Sequence, residues 1–400
     1  MSSSVISPIV PSQDAAVQST RTLRLPLDPL LTLAALGLGI CSIVTLEAAT
    51  RNLIPGQPRY YVDRQVTYLI VGLLLMVVLS RIDYARLRQL MYPIYAVLLL
   101  SILAVLALGH ESALGAQRAI EFPLFSFQAS ELGKVLLILA LSAFVVGRSR
   151  RLREVGTTVR VMIAALVPAL FVIAQPDLGS GMVYMVIAFT LLFVAGTSWR
   201  QLTGLLALVG ISATVALVIA PTAGVHVLKP FQEERLTAFL HPSSNPQKKG
   251  YQQEESKVAI GAGQKTGRGV NSTQTTLHFV PEDHTDFIFA AVGEQYGFVG
   301  AALVLSLYAL LIWRTLRILT MAKDLFGSLV AAGVVAMLMF QVFVNVGMSI
   351  GIMPITGVTL PLMSYGGSSV ITTLLAVGLL QSIYVQASAS QAQKGRVYRY

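Results

Sequence analysis

The side chains best suited to chemistry in this sequence are acidic and basic groups that fall beside long apolar runs, where ionisable residues are costly and mark function by default. Pro281-Glu282-Asp283-His284-Thr285-Asp286 opens one such run, with Glu294 two turns further on. Glu131 and Lys134 are three residues apart, share a helix face and can pair. Gln175-Pro176-Asp177 separates two other runs, and Arg118, Lys257, Lys265 and Arg268 lie in connecting segments. A carboxylate such as Asp286 can act as a general base, and cations can stabilise phosphate charge. Together they suit reaction on a lipid-linked phosphate. Each residue also has a plainer reading. Asp283 or Asp286 can cap a helix, Glu131 and Lys134 can be a structural ion pair, and Asp177 can be a turn residue. His284 reads as a local hydrogen-bond partner, since no second His or Cys stands at a metal-ligand spacing. Gly293 and Gly297 read as close helix packing. The glycine-rich stretch 261–269 lacks the G-K-[ST] ending of a phosphate loop, which rejects it as a nucleotide site.

These groups need elements to position them, and composition says which kind. Hydrophobic residues make up 54% of the 400 and charged ones 12%, against about 25% charged in soluble domains. With a mean hydropathy of +0.70, that excess exceeds what one soluble core can bury. The predicted fold is an all-α, polytopic integral membrane protein. Apolar runs of crossing length predict ten spans, at 29–49, 65–80, 91–109, 130–147, 161–175, 178–196, 203–220, 286–312, 328–350 and 363–387. Residues 1–28 and 388–400 read as flexible tails, and 221–284 as one long loop on the outside. The single cysteine, Cys41, forms no intrachain disulfide. The net charge of +10 sorts by side: seventeen of the 29 Lys and Arg fall on the face shared by the two ends. Only Arg51, Arg59, Arg64 and Arg118 fall in short loops opposite. The positive-inside rule then predicts cytoplasmic N- and C-termini and an extracytoplasmic cluster of functional groups. Basicity spent on topology leaves no case for nucleic acid.

At His284-Thr285-Asp286-Phe287-Ile288-Phe289 the chain resembles the SEDS family of peptidoglycan polymerases, RodA and FtsW. The resemblance extends through Gly115-Ala116-Gln117-Arg118, Ser130-Glu131-x-x-Lys134, Gln175-Pro176-Asp177-Leu178-Gly179, Gly250-Tyr251-Gln252 and Ser256-Lys257-x-Ala259-Ile260-Gly261. It continues through Asn345-x-Gly347, Pro354-x-x-Gly357 and Pro361-Leu362-x-Ser364-Tyr365-Gly366-Gly367-Ser368. Three positions depart from the family pattern: Ala119 stands for a tryptophan, Ala129 for a proline and Glu255 for a glutamine. Residues 343–348 with Ile352-Met353-Pro354 are similar to the RodA, or elongation, branch.

The resemblance implies a ten-span fold in the bacterial cell membrane. It implies a glycosyltransferase that polymerises lipid II, with Asp286 as general base and a class B penicillin-binding protein as transpeptidase partner. Arg118 and Lys134 are then candidates for the pyrophosphate, Glu131 orients Lys134, and Asp177, Lys257, His284 and Ser364 are further substrate-binding candidates. Nothing in the sequence requires a cofactor, and a divalent cation such as Mg or Mn is compatible with it. The competing readings are an FtsW-type division enzyme, a lipid flippase or transporter, and a scaffold weakened by Ala119 and Ala129.

Overall fold

A computed structural model describes residues 27–51, 53–109, 119–121, 126–215, 249–269, 272–276 and 284–397. The described residues form an all-α bundle with one short hairpin. Its helices are α1 (Pro29–Thr50), α2 (Tyr60–Arg81), α3 (Met91–Leu108), α4 (Ala129–Gly147), α5 (Val155–Ala174), α6 (Leu178–Val194) and α7 (Trp199–Thr214). There follow α8 (Lys249–Ala262), α9 (Thr273–Thr276), α10 (Ile288–Met321), α11 (Leu325–Ser349) and α12 (Gly367–Val397). Strands β1 (Ile120–Glu121) and β2 (Ser126–Phe127) pair antiparallel. Among the described residues eight segments are long and apolar enough to cross a membrane, with mean hydropathy between 1.6 and 2.4. α6 is apolar but 17 residues long, and α7 has 16. The protein is a multi-pass membrane protein.

Each predicted span overlaps a helix in its described part, with differences at the ends; the predicted span 203–220 runs past residue 215, outside the described residues. The last helix runs on to Val397, so most of the segment read as a C-terminal tail continues as helix. The segment read as a loop carries α8 and α9 in its described part. Asp28, placed at the end of the N-terminal tail, belongs to the fold. Its carboxylate caps α1 by accepting from Leu31 N at 2.9 Å, with Pro29 in the first turn where its missing N–H costs nothing. The same carboxylate accepts from Arg314 Nε of α10 at 3.1 Å, and Gln381 of α12 accepts from Asp28 N at 2.7 Å. This buried cluster ties α1, α10 and α12 at the face opposite the functional groups, where a solvent-exposed tail residue was expected.

Small residues let the helices approach closely, as membrane packing requires. A Cβ at Gly133 of α4 would lie 1.9 Å from Tyr184 Oη of α6, and one at Gly72 of α2 would lie 2.5 Å from Leu374 of α12. Because the chain runs up and down, the N-termini of α2, α4, α6, α10 and α12 and the C-terminus of α11 meet at one face. The site lies there.

Candidate functional site

The segment linking α11 to α12, residues 350–366, gathers the site. It has no regular structure, so its backbone groups need partners from elsewhere, and the partners come from the helices that carry the candidate residues. Asn345 of α11 donates through Nδ2 to Val358 O and to Asp286 O, both at 2.8 Å. Ser364 Oγ accepts from Leu360 N at 2.8 Å and donates to Thr285 O at 2.6 Å. Tyr365 N donates to His284 O at 2.9 Å. The turn His284–Phe287 is thus pinned at three successive carbonyls, two by linker residues Tyr365 and Ser364 and the third by Asn345 of α11, which also holds the linker at Val358 O. Asp286 is half-buried within it. Phe287, not Asp286, occupies the N-cap position of α10, and it makes no side-chain cap hydrogen bond. Asp283, the other capping candidate, lies outside the described residues.

The linker also touches the Glu131 and Lys134 pair. Lys134 Nζ lies 2.6 Å from Glu131 Oε1, with the two side chains 1% and 5% exposed. Thr359 Oγ1 donates to the same oxygen at 3.5 Å and lies 3.0 Å from Ser369 Oγ. A buried ion pair is costly to desolvate and worse to break, since either partner alone would be an uncompensated charge. Lys134 is accordingly committed to Glu131, and reaches a phosphate only by exchanging that partner.

Asp177 has the structural role its turn position suggested. It caps α6, accepting from Ser180 N at 3.0 Å through Oδ1. Its Oδ2 accepts from Ser130 Oγ at 2.8 Å and from Gln128 Nε2 at 3.3 Å. This fixes the start of α4, from which Glu131 and Lys134 project. Gln128 N donates to Ser368 Oγ at 2.9 Å, and Ser368 donates on to Ser126 O at 2.7 Å, so the hairpin is tied to α12.

Aromatic side chains wall the Asp286 turn. His284 and Tyr365 each meet Tyr61 of α2 edge-on, at 5.0 and 4.9 Å between ring centres. Arg64, one turn along α2, lies 4.5 Å over the Tyr60 ring and hydrogen-bonds Tyr365. Burial pushes the Tyr365 hydroxyl above the ordinary phenol range, Tyr68 adds to the shift and Arg64 opposes it. The hydroxyl therefore stays protonated at neutral pH.

The structure thus brings Asp286, His284, Ser364, Glu131 and Lys134 together around one linker. Asp177 and Ser364 support the site with their hydrogen-bonding groups already engaged. Lys257 sits on α8, half-exposed and paired with Glu254 at 2.6 Å. Its helix reaches the site through packing, since Ala259 and Phe287 belong to one small apolar cluster. Arg118 lies outside the described residues. Thr359 and Tyr61 were not singled out by sequence reasoning, Asn345 stood there only within its block, and Arg64 was placed in a short loop whereas it lies on α2, which starts five residues before the predicted span. For Arg64 a signal was available: Tyr60, Tyr61 and Arg64 are spaced to share one helix face. Among the described residues no three His, Cys, Asp or Glu side chains group as a metal site.

A family profile described as "Cell cycle protein", for FtsW, RodA and SpoVE, matches residues 27–389. The chain belongs to this family. Its most similar relatives include the peptidoglycan glycosyltransferase MrdB of Escherichia coli K12, 35% identical over 363 residues that cover 90% of this chain and 94% of the relative. A probable peptidoglycan glycosyltransferase FtsW of Thioalkalivibrio sulfidiphilus is 36% identical over 384 residues, 93% of each chain. Among solved structures, one from a study of polymerization and crosslinking by a peptidoglycan synthase complex superposes with a TM-score of 0.75 at 32% identity, covering 91% of this chain and 99% of that one. The rod shape determining protein RodA of Thermus thermophilus superposes with a TM-score of 0.65 at 30% identity, covering 90% and 97%. All-α polytopic architecture is therefore the architecture of the FtsW, RodA and SpoVE family, and of the blocks quoted from the sequence those that carry Glu131, His284 to Phe289, Asn345 and Ser364 meet at the α11–α12 linker.

Proposed function

We propose that this chain is a peptidoglycan glycosyltransferase of the RodA type, which polymerises lipid II into β-1,4 glycan strands for cell elongation and shape. The observation that carries the reading is the pinned Asp286 turn, held at one carbonyl by Asn345 of α11 and at two by the same linker that contacts Glu131. Family membership and the polymerase names of the relatives support the activity. Asp286 takes the proton of the acceptor sugar hydroxyl, and the oxygen attacks the anomeric carbon of the donor. The bond to undecaprenyl pyrophosphate breaks with its electron pair leaving on phosphate, and the α linkage becomes β. One base suffices for a single inversion with so good a leaving group, so no second carboxylate need act as acid.

The leaving pyrophosphate requires positive charge. Arg118 and Lys134 fill that role, Lys134 by exchanging Glu131 for a phosphate oxygen, and Arg64 adds a more accessible cation on the aromatic wall. Lys257, within α8 and 40% exposed, steers anionic substrate toward the site. Tyr61, His284 and Tyr365 offer ring edges and faces to a sugar. A divalent cation such as Mg or Mn would take most of its ligands from the pyrophosphate. The cation distribution supports cytoplasmic termini and an extracytoplasmic site, in a bacterial cell membrane. The synthase-complex neighbour supports a class B penicillin-binding protein as partner.

Purified chain incubated with lipid II in detergent tests the reading. Glycan strands are expected from the wild type and none above background from Asp286→Ala. A flippase would make no polymer there, because detergent offers no second compartment.

A further inference from the structure

α10 is two helices joined at a break. Gly297 has φ 64° and ψ −157°, which ends the hydrogen-bond ladder after an outer half of nine residues, 288–296. In an unbroken helix Phe298 N and Val299 N would donate to the carbonyls four residues back. Here they donate to Gln264 O at 2.9 Å and Lys265 O at 3.1 Å, and Glu294 O accepts from Arg268 N at 2.8 Å. The glycine-rich stretch rejected as a phosphate loop is the piece that replaces these rungs. Its glycines are needed because the approach is backbone to backbone. A Cβ at Gly263 would lie 1.8 Å from Gly293 O, and one at Gly267, where φ is 83°, would lie 2.1 Å from Gln295 O.

Glu294 completes the joint. It is fully buried, and its carboxylate accepts from Gln274 N at 2.9 Å, from Thr275 N at 2.8 Å and from the Thr275 hydroxyl. Nothing in the proposed chemistry uses it. At about 1.5 Å of rise per residue, Glu294 stands about 12 Å from Asp286, too far to touch a sugar held there. The outer half-helix is held at both ends, by Asn345 at Asp286 and by the Glu294 joint at Gly297. A change at the joint therefore swings the end that bears Asp286.

We propose that Glu294 is a positioning residue for glycosyl transfer: with residues 263–268 and Thr275 it sets the angle of the outer half-helix and so the place of Asp286. The proposal rests on Asp286 being the base. The test uses the full chain in lipid nanodiscs, comparing wild type, Glu294→Gln, Glu294→Asp and the milder Thr275→Val. Hydrogen exchange is read separately for residues 288–296 and 300–321, and kcat and KM are read with lipid II. Removing one partner of a buried hydrogen bond costs about 1–3 kcal/mol. Exchange of 288–296 is therefore expected to rise about tenfold or more in Glu294→Gln, with 300–321 unchanged. The value of kcat falls about tenfold at a KM within about twofold of wild type, Thr275→Val shows the same pattern more weakly, and Glu294→Asp recovers part of the rate.

Unchanged exchange in the outer half overturns the proposal. So does exchange that rises equally in both halves with kcat per folded molecule unaltered, which is the mark of a purely structural role. Should Glu294→Gln fail to insert, Thr275→Val decides by the same two readings. Wild-type turnover by Asp286→Asn would overturn the base assignment itself. An inactive Asp286→Asn beside a fully active, folded Glu294→Gln would overturn this inference alone.

Discussion

The buried Lys134 and Glu131 pair and the Asn345 amide are where single side chains decide most. Lys134→Met leaves Glu131 buried without its cation, which costs about 3–5 kcal/mol. A clearly lowered thermal unfolding midpoint in detergent is the expected reading. Combining it with Glu131→Leu removes both charges and is expected to recover most of the midpoint, while polymerisation stays strongly reduced because the pyrophosphate then lacks the Lys134 cation. Asn345→Leu strips a donor from two buried carbonyls, Asp286 O and Val358 O. Each unmet carbonyl costs about 1–3 kcal/mol, and the cost falls on the position of Asp286. Steady-state kinetics are expected to show kcat falling while KM for lipid II changes little, because the amide does not face the substrate. At this scale the sequence indicated which residues are present but not what each one touches. The spacing of Glu131 and Lys134 revealed their pairing because it is a helical spacing. Asn345 and Asp286 are 59 residues apart, and no local pattern joins them.

Helix crossings transmit these positions, and α4 with α6 is the tightest at the site. Gly133→Ala would drive a methyl into the Tyr184 hydroxyl, which itself donates to Ser130 O at 3.2 Å. Overpacking of this kind costs about 1–3 kcal/mol. A lowered unfolding midpoint is expected, with Tyr184→Phe in the same chain restoring part of it by removing the clashing oxygen. Helices of this sort were legible in the sequence, because twenty apolar residues in lipid have few alternatives to a helix. The pieces that were not legible are those whose hydrogen bonds leave the local chain. The linker 350–366 has no period. Asp28 read as the end of a tail because its partners Arg314 and Gln381 lie far along the sequence. The stretch 261–269 looked like a failed nucleotide loop, and its glycines instead serve the break in α10.

Across the whole molecule, the bundle places a carboxylate, a buried ion pair and an aromatic wall at one membrane face, with the Asp28, Arg314 and Gln381 cluster fastening the other. The orientation rests on cation asymmetry and is open to a direct check. Single cysteines placed near residue 10 and near residue 395 of a Cys41→Ala chain are expected to escape a membrane-impermeant maleimide in intact cells. A cysteine in the 221–248 segment is expected to react. Such a result would set the site on the outer face, where lipid II is presented. The central claim is that Asp286, held by the α11–α12 linker, is the base of a glycosyl transfer. The most direct measurement is polymerisation of lipid II by purified wild type and Asp286→Asn, with folding of both checked by thermal unfolding. Loss of a general base typically costs about 10²–10⁴-fold in rate, so glycan strands from wild type and a drop of that order in a normally folded Asp286→Asn are expected. Wild-type rates from folded Asp286→Asn would contradict the account.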